Sequence, residues 1–463
     1  MLMRMFSSSF RLANRPFSTQ ISGGFMGLVY DYIGVGFGPS NLALAIATEE
    51  FAQRSGREPN VCFIERKPAF SWHEGMLIDG SSMQISFLKD LATLRNPASR
   101  FTFISYLKAC GRLEDFINLK TFYPSREEFN DYLGWAADAF AGQVHYGEEV
   151  TSIEPFYSAG TCAGIEVVSR GADGQSTRRR ARNLVLGIGG VAQIPAAFTG
   201  MTDPRIVHSS RYLGALDAML VDGSRPRRVA VIGGGQSAAE IFHDLACRFP
   251  QVEASLLVRG GSLKPSDDSP FVNEIFNADF TDRIFAQDPA QRAQMLSEYR
   301  NTNYSVVDLE LIEKIYHLFY QQKVRGQHPH RLLTHREVMA VAADDSGVEL
   351  SLRHTLGGDQ HRERFDAVIL ATGYRRDYHR TLLAGFTDYI EGDAVDRQYR
   401  LPLRADCQAQ IFLQGGCEGS HGLSDTLLSV LAMRSEELVA SMFVEPAGAQ
   451  VRDSLRLAAA SLS

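Results

Sequence analysis

Two glycine-rich segments are the residues of this chain whose spacing points most clearly to chemistry. The first reads Gly34-Val35-Gly36-Phe37-Gly38-Pro39, and the second has Gly233, Gly234 and Gly235 before Gln236 and Ser237. Gly34 is expected to permit a tight turn, and Gly36 leaves room for a pyrophosphate. The N–H groups and the positive dipole end of a following helix bind phosphate oxygens. Both segments are therefore predicted to bind a dinucleotide.

The residues that close the next strand distinguish the two sites. The strand VCFIE ends at Glu65, whereas the strand ASLLV leads to Arg259. A carboxylate accepts hydrogen bonds from ribose hydroxyls, and a guanidinium binds a 2′-phosphate that a carboxylate would repel. The first site is therefore predicted to hold FAD and the second NADPH. The alternative for Arg259 is a solvated surface arginine.

The elements around these segments predict an α/β fold. A short apolar strand precedes each glycine run, and a helical pattern follows it, with Pro39 suited to a first helical turn. Residues 181–190 and 365–374 are apolar strands that return to glycine, the second through Thr372 and Gly373. Such segments are typical of a chain crossing between two dinucleotide domains. We predict two Rossmann-like domains with a small helical substrate-binding region.

The first domain is predicted to be interrupted by the second along the chain. We expect an N-terminal extension at 1–26, the first part of the FAD domain at 27–200, the NADPH domain at 201–361, and the second part of the FAD domain at 362–463. Within the NADPH domain, 265–325 carries apolar residues at helical spacing, including Leu309, Ile315 and Tyr316. We expect this insertion to lie over the nicotinamide.

Composition excludes several functional classes. The net charge of −7 over 463 residues argues against a nucleic-acid partner, which needs a basic face. No apolar run approaches the roughly 18 residues of a membrane span. The six cysteines include no CxxC pair, which favours reduced thiols and argues against a flavin disulfide reductase. Neither a GxSxG nor an HExxH string occurs, so no catalytic triad or metal site is predicted.

The first 26 residues differ in composition from the rest. Arg4, Arg11 and Arg15 lie among serines and phenylalanines, and no acidic residue precedes Asp31. This pattern resembles an organellar transit peptide. The alternative is an upstream start codon, with Met26 as the working start. We expect a cytoplasmic protein, with organellar targeting left open.

Longer strings identify a family. The chain resembles the N-hydroxylating flavin monooxygenases, and within them those that act on N5 of L-ornithine, from about residue 29 to about 435. The resemblance rests on SWHEGMLIDGSSMQISFLKDLATLRNPASRFTFISYL (71–107), FYPSREEF (122–129), PFVNEIFN (270–277), RNTNYSVVD (300–308) and SHGLSDTLL (420–428). It implies that NADPH reduces FAD, that O₂ forms a flavin C4a-hydroperoxide, and that the substrate amine is hydroxylated for a hydroxamate siderophore. It also implies a homo-oligomer, often a tetramer.

The resemblance further implies roles for single residues. Those matching substrate contacts are Lys89, Asn273, Asn303 and Ser424. Those matching flavin neighbours are His73, Met83, Gln84 and Leu423, in addition to Gly34, Gly36, Gly38, Pro39, Glu65, Thr372 and Gly373 of the FAD motifs. Those matching NADP contacts are Arg126, Gly233, Gly235, Gln236, Ser237, Arg259 and Asn303.

Alternative functions remain open on the sequence. Lysine N6-hydroxylation needs only one more methylene in the same pocket, a difference of roughly 1–3 kcal/mol. A broader flavin monooxygenase that oxidises amines or sulfur is a second alternative, and a non-catalytic flavoprotein is a third. Without the flanking strings, a solvated surface lysine is the favoured interpretation of Lys89, and helix caps are the favoured interpretation of Asn273 and Asn303.

Overall fold

The computed structural model describes residues 29–220 and 227–444. The predicted extension at 1–26, with its targeting alternative, lies outside these residues, as does the end of the last predicted domain. Within them the chain forms one mixed sheet of seven strands, one parallel sheet of five strands, two small antiparallel sheets and a helical region.

The strands and helices alternate over most of the described chain. The strands are β1 Val29–Val35, β2 Val61–Glu65, β3 Val144–Tyr146, β4 Glu148–Ser158, β5 Thr161–Gly171, β6 Ser176–Leu186, β7 Val191–Ala192, β8 Ile206–His208, β9 Arg227–Ile232, β10 Val252–Leu257, β11 Arg331–Leu333, β12 Arg336–Asp344, β13 Gly347–His354, β14 Gln360–Phe365, β15 Ala367–Leu370, β16 Tyr374–Arg375 and β17 Gln410–Leu413. The α-helices are α1 Pro39–Ser55, α2 Phe103–Ala109, α3 Leu113–Leu119, α4 Arg126–Asp138, α5 Tyr212–Leu220, α6 Gln236–Arg248, α7 Pro270–Asn273, α8 Ala278–Phe285, α9 Pro289–Tyr299, α10 Leu309–Arg325, α11 His379–Leu382, α12 Glu418–His421 and α13 Leu431–Phe443. Of these described helices, none has the length and apolarity to cross a membrane.

The first sheet has seven strands and carries the first glycine segment. Its order is β3-β2-β1-β6-β5-β4, and β17 also pairs with β6. Strands β1, β2, β3, β6 and β17 are parallel, whereas β4 and β5 add an antiparallel hairpin. Because β1 and β6 are covered on both faces, both contribute fully buried side chains such as Ile33 and Leu184.

The second sheet has five strands and carries the second glycine segment. Its order is β11-β10-β9-β15-β8, and every pairing in it is parallel. Helix α6 follows β9 and buries Ala238, Ile241 and Phe242 against this sheet. The antiparallel strands β12, β13 and β14 share a further buried cluster with β9 and β15. The predicted α/β fold with two Rossmann-like units is confirmed.

The two crossing segments run side by side between the units. Strand β7 pairs antiparallel with β16, joining Ala192 to Tyr374, and the backbone N–H of Gln193 donates to the carbonyl of Gly373. Strand β15 belongs to the second sheet, so the chain returns to the first sheet only after residue 370, later than the predicted boundary at 362. The predicted domain limits otherwise remain a prediction.

The insertion predicted at 265–325 contains four helices, α7 to α10. A bridge between Pro265 and Val307 joins the start of this segment to the residues just before α10. Helix α10 packs on α6, where the rings of Phe319 and Phe242 stack with centroids 5.7 Å apart. Helices α8 and α9 pack instead toward Leu423 of the first unit. The helical region therefore bridges the two units.

Candidate active site

The first glycine segment joins β1 to α1. Gly36 has φ +80°, and a Cβ there would lie 2.7 Å from the carbonyl oxygen of Gly187, so only glycine fits. A Cβ on Gly38 would meet no atom within 4 Å, which leaves open space above the helix start. Gly34 is not the turn residue that the sequence predicted. It lies within β1, and a Cβ there would lie 2.3 Å from the ring of Phe63.

The start of α1 has the features of an anion-binding site. Pro39 occupies the first turn, the N-cap is Gly38, no side chain caps the helix, and no acidic residue lies in the first turn. Free N–H groups at such a start bind phosphate. Glu65 lies beside them at the end of β2, where its carboxylate accepts from the N–H of Phe37 at 2.7 Å and of Lys67 at 2.9 Å. These residues fit the diphosphate and ribose of FAD.

A buried asparagine holds this turn and was not anticipated from the sequence. The Nδ2 of Asn41 donates to the carbonyls of Val35 at 3.1 Å and Gly36 at 2.6 Å, and its Oδ1 accepts from Gln414 at 2.8 Å. Asn41 is fully buried. A polar residue in the otherwise apolar start of α1 was the available signal. The bonds connect the glycine turn to the end of β17.

The second glycine segment joins β9 to α6 in a similar way. A Cβ on Gly233 would lie 2.3 Å from the carbonyl oxygen of Ala371, so the crossing segment leaves no room for a side chain. Gly235 is the N-cap of α6, again without a side-chain cap or an acidic first turn, and Ser237 lies in that turn. Arg259, just beyond β10, is exposed and forms no ion pair within residues 29–220 and 227–444. These features fit a dinucleotide with a 2′-phosphate.

Three residues predicted to contact cofactors form bonds to other protein groups in this structure. The guanidinium of Arg126 forms two bonds to Glu240 of α6, at 2.7 and 2.9 Å, and donates to the carbonyl of Met76. Gln84 donates to Asp308 at 3.0 Å, and Gln236 also donates to that carboxylate at 3.1 Å. The bonds connect the first unit, α6 and the helical region. Arg126 therefore acts as an inter-unit ion pair here, and its NADP contact stays a prediction.

The residues predicted near the flavin ring line the junction between the units. His73 has φ 49°, rare for a non-glycine residue, and its ring lies edge-on to Tyr374 at 6.2 Å. His73 is exposed to solvent. Burial and then the charge of Arg126 lower the pKa of His73. Met83 is buried, and Thr372 donates to the carbonyl of Gln193 at 2.5 Å beside the exposed Gly373.

The four predicted substrate contacts come from three parts of the chain. Lys89 is half-buried, forms no ion pair among the described residues, and has its pKa lowered by burial. The Nδ2 of Asn273 donates to the carbonyl of Asp268 at 2.7 Å. Ser424 is fully buried, and its hydroxyl has no partner within the described chain. A buried orphan hydroxyl costs free energy unless a ligand or water satisfies it.

Two contacts join the helical region, which carries Asn273 and Asn303, to the Ser424 segment, and neither of them includes Lys89. Leu423 packs with Ile275 and Phe280 of the helical region. Tyr304, next to Asn303, donates to Glu418, a carboxyl whose pKa is raised by burial. Ser424 thereby lies close to the segments that carry Asn273 and Asn303. The individual substrate roles stay predictions.

A buried ion pair supports the Ser424 segment and was also missed. Arg434 of α13 and Asp425 are 2.8 Å apart, and their side chains are 1% and 0% exposed. Asp425 also accepts from the N–H of Cys417 at 2.6 Å, and Arg434 donates to Ser40 at the start of α1 at 3.1 Å. The pair therefore connects the predicted substrate pocket to the first dinucleotide site.

A family model, a curated relative and two solved structures all match this chain, and their descriptions agree with one another. The family model described as L-lysine 6-monooxygenase/L-ornithine 5-monooxygenase matches residues 28–376. An L-ornithine N(5)-monooxygenase of Pseudomonas aeruginosa is 49% identical over 417 residues, covering 90% of this chain and 94% of its own. The solved ornithine hydroxylase of that species superposes with a TM-score of 0.86, covering 90% and 99% of the two chains. The ornithine N-hydroxylase of Kutzneria sp. 744, solved with reduced FAD, NADP⁺ and L-ornithine, is 38% identical, with a TM-score of 0.84 and coverage of 90% and 99%.

Proposed function

Because the chain belongs to the L-lysine 6-monooxygenase/L-ornithine 5-monooxygenase family, we propose that it hydroxylates N5 of L-ornithine with FAD, NADPH and O₂. One observation carries the proposal beyond the family. The helical region packs on α6 of the second unit and on the segment of the first unit that carries the unpartnered, buried hydroxyl of Ser424. A substrate bound at this junction would lie near both cofactor sites. The product would be an N-hydroxylated amino acid suited to a hydroxamate siderophore.

The protein's part in the reaction is to bind, orient and exclude water. The bound cofactors supply the hydride and the activated oxygen. The glycine turns and helix starts of α1 and α6 would hold the two diphosphates. Lys89 would bind the substrate carboxylate, with Asn273 and Asn303 at the neighbouring polar groups. No side chain has to attack the substrate.

The pocket must also keep the reacting amine neutral. A free alkylammonium has a pKa of about 10.4, so it is almost fully charged at neutral pH. Burial disfavours the charged form and lowers that pKa. Ile275, Phe280, Ile284 and Leu423 form a buried apolar cluster next to Ser424. Carboxylate binding at Lys89 and an apolar far end together would orient an uncharged amine toward the flavin.

The test of this function is a coupled assay on the purified, FAD-loaded chain. NADPH oxidation and hydroxylamine product are measured in parallel with L-ornithine and with L-lysine. We expect close to one hydroxylamine per NADPH with ornithine and little product with lysine. Coupled turnover of lysine instead would establish lysine N6-hydroxylation. NADPH consumption without product from either amine would exclude both substrates and favour a broader oxidase.

Arg259 provides a test of the nicotinamide site. We expect Arg259→Gln to raise KM for NADPH by roughly 10- to 100-fold, because a charged hydrogen bond contributes about 1.5–3 kcal/mol. KM for NADH, which lacks the 2′-phosphate, should change little. Arg170→Gln, an exposed arginine near the end of β5 that also forms no ion pair in the described chain, is the matched control. A parallel loss with both nucleotides would contradict the assigned role.

The homo-oligomer expected from the resemblance is a further proposal. It is supported by an exposed stripe along α10, where Leu309, Tyr316, Tyr320 and Val324 are 57%, 74%, 56% and 64% exposed. The helix carries Glu310 at its start and Lys323 and Arg325 at its end, so two copies packed antiparallel would bring opposite charges together. Light scattering across a dilution series measures the assembly. A monomer at micromolar concentration would exclude it.

A further inference from the structure

The first sheet forks at one edge of β6. Strand β5 pairs with β6 as far as Ile165 opposite Ala181, and β17 takes over that strand from Gln410 opposite Asn183. The two strands that meet at the fork belong to the two separate parts of the first unit. All of the second unit lies between them in sequence.

Two cysteines face each other at this fork. Cys162 lies near the start of β5 and Cys407 lies three residues before β17. Their backbones form a parallel bridge, and the N–H of Gln408 donates to the carbonyl of Cys162 at 2.8 Å. The two sulfur atoms are 2.9 Å apart. Neighbouring strands about 4.8 Å apart lie within the Cα separation of about 4.4–6.8 Å that a disulfide spans.

The two thiols differ in access to solvent. Cys162 is 1% exposed, and burial raises the pKa of its thiol. Cys407 is partly exposed. The other cysteines lie apart from this pair: Cys62 and Cys417 are buried, and Cys110 and Cys247 are exposed. An oxidant in solution can therefore reach the sulfur of Cys407, and the sulfur of Cys162 lies next to it.

We propose that Cys162 and Cys407 form a reversible disulfide that closes the sheet fork when the protein meets a peroxide. The sulfur of Cys407 would attack one peroxide oxygen, giving a sulfenic acid and releasing water or the alcohol. The sulfur of Cys162 would then attack the sulfenic sulfur, forming the S–S bond and releasing a second water. For hydrogen peroxide, two thiols are oxidised, one peroxide is reduced, and two waters form. Dithiol reductants reverse the step.

The consequence would be a stabilised enzyme under oxidising conditions. The bond would close a loop of 245 residues, which restricts the unfolded chain much more than a short loop does. It would also bind the C-terminal part of the first unit to its N-terminal part. The native strands already hold the sulfurs together, so little rearrangement of the fold is needed. The proposal is independent of the substrate proposed above.

The experiment uses the full, FAD-loaded chain treated with hydrogen peroxide or with dithiothreitol. Free thiols are then alkylated, and peptides are mapped without reduction. We expect one intramolecular crosslink, between the peptides of Cys162 and Cys407, and a Tm higher by roughly 5 °C in the oxidised protein. Later addition of dithiothreitol should remove both.

Cys407→Ser is the main variant because the residue is partly exposed and tolerates a hydroxyl. It should lose the crosslink and the oxidation-dependent change in Tm, whereas Cys247→Ser, an exposed lone cysteine, should keep both. Three results would overturn the proposal: oxidation of Cys407 to the sulfinic acid without a crosslink, a bond only between two molecules, or a crosslinked protein with an unchanged Tm. The wild-type comparison alone decides the matter if a variant fails to fold.

Discussion

Replacing Lys89 with alanine is expected to raise KM for L-ornithine by roughly 10- to 100-fold while leaving the rate of flavin reduction by NADPH almost unchanged. A charged hydrogen bond to a carboxylate contributes about 1.5–3 kcal/mol, and each 1.4 kcal/mol is a factor of ten. Lys89 is half-buried and forms no ion pair in the described chain, so its ammonium group is available to a substrate carboxylate. Hydride transfer to the flavin does not use that contact.

Steady-state and stopped-flow kinetics separate the two quantities. The matched control is Lys108→Ala, an exposed lysine in the last turn of α2, which should alter neither. Lys89→Arg should recover part of the affinity, because it restores the charge with a different shape. Equal losses in ornithine binding and in flavin reduction would show that Lys89 supports the fold or the flavin rather than the substrate.

Removing one partner of the buried Arg434–Asp425 ion pair should produce the largest loss of stability. Breaking a buried pair costs about 3–5 kcal/mol, because the remaining charge stays buried without a partner. Arg434→Met would leave Asp425 uncompensated, and it would also remove the bond to Ser40 at the start of α1. We expect Tm to fall by on the order of 10 °C. We also expect earlier release of FAD, since α1 begins at the proposed diphosphate site.

Thermal unfolding followed by circular dichroism and by flavin fluorescence measures both effects. Arg283→Met is the control, because its pair with Asp279 is 62% and 63% exposed and should contribute about 1 kcal/mol or less. The double variant with Asp425→Asn and Arg434→Met should be more stable than the single Arg434→Met variant, since no uncompensated charge remains. A double variant whose loss equals the sum of both single losses would refute the explanation by charge compensation.

The features that the sequence predicted are formed by residues close together along the chain. A strand, a glycine turn and a helix are consecutive residues, so Gly36, Gly38 and Pro39 already predict a phosphate-binding helix start. The next strand ends beside the same turn, which is why Glu65 and Arg259 could be assigned to the two cofactors. The sequence also predicted that the second unit interrupts the first. Because β15 belongs to the second sheet, the chain returns to the first sheet only beyond residue 370.

The long motifs predicted which side chains belong to a substrate pocket, but not how they are supported. Ser424 could be named from its string, whereas its complete burial and unpartnered hydroxyl appear only in the folded chain. Leu309, Ile315 and Tyr316 followed one helical pattern, yet Leu309 and Tyr316 are exposed whereas Ile315 packs in the second core. Periodicity predicts a helix, and packing decides which face it buries.

By itself the sequence determined the α/β class, the two glycine turns, the use of FAD and NADPH, and the family, whereas the assignment of each turn to one cofactor stays a prediction. Only the tertiary structure decided four contacts. Asn41 holds the first glycine turn and bonds to Gln414, and Glu240 pairs with Arg126. Arg434 neutralises Asp425 beside Ser40, and Cys162 lies against Cys407. Most of these partners lie more than a hundred residues apart, and no local spacing relates them. Their pairing follows from the order of strands in two sheets, because buried polar groups must find partners wherever the fold brings them together.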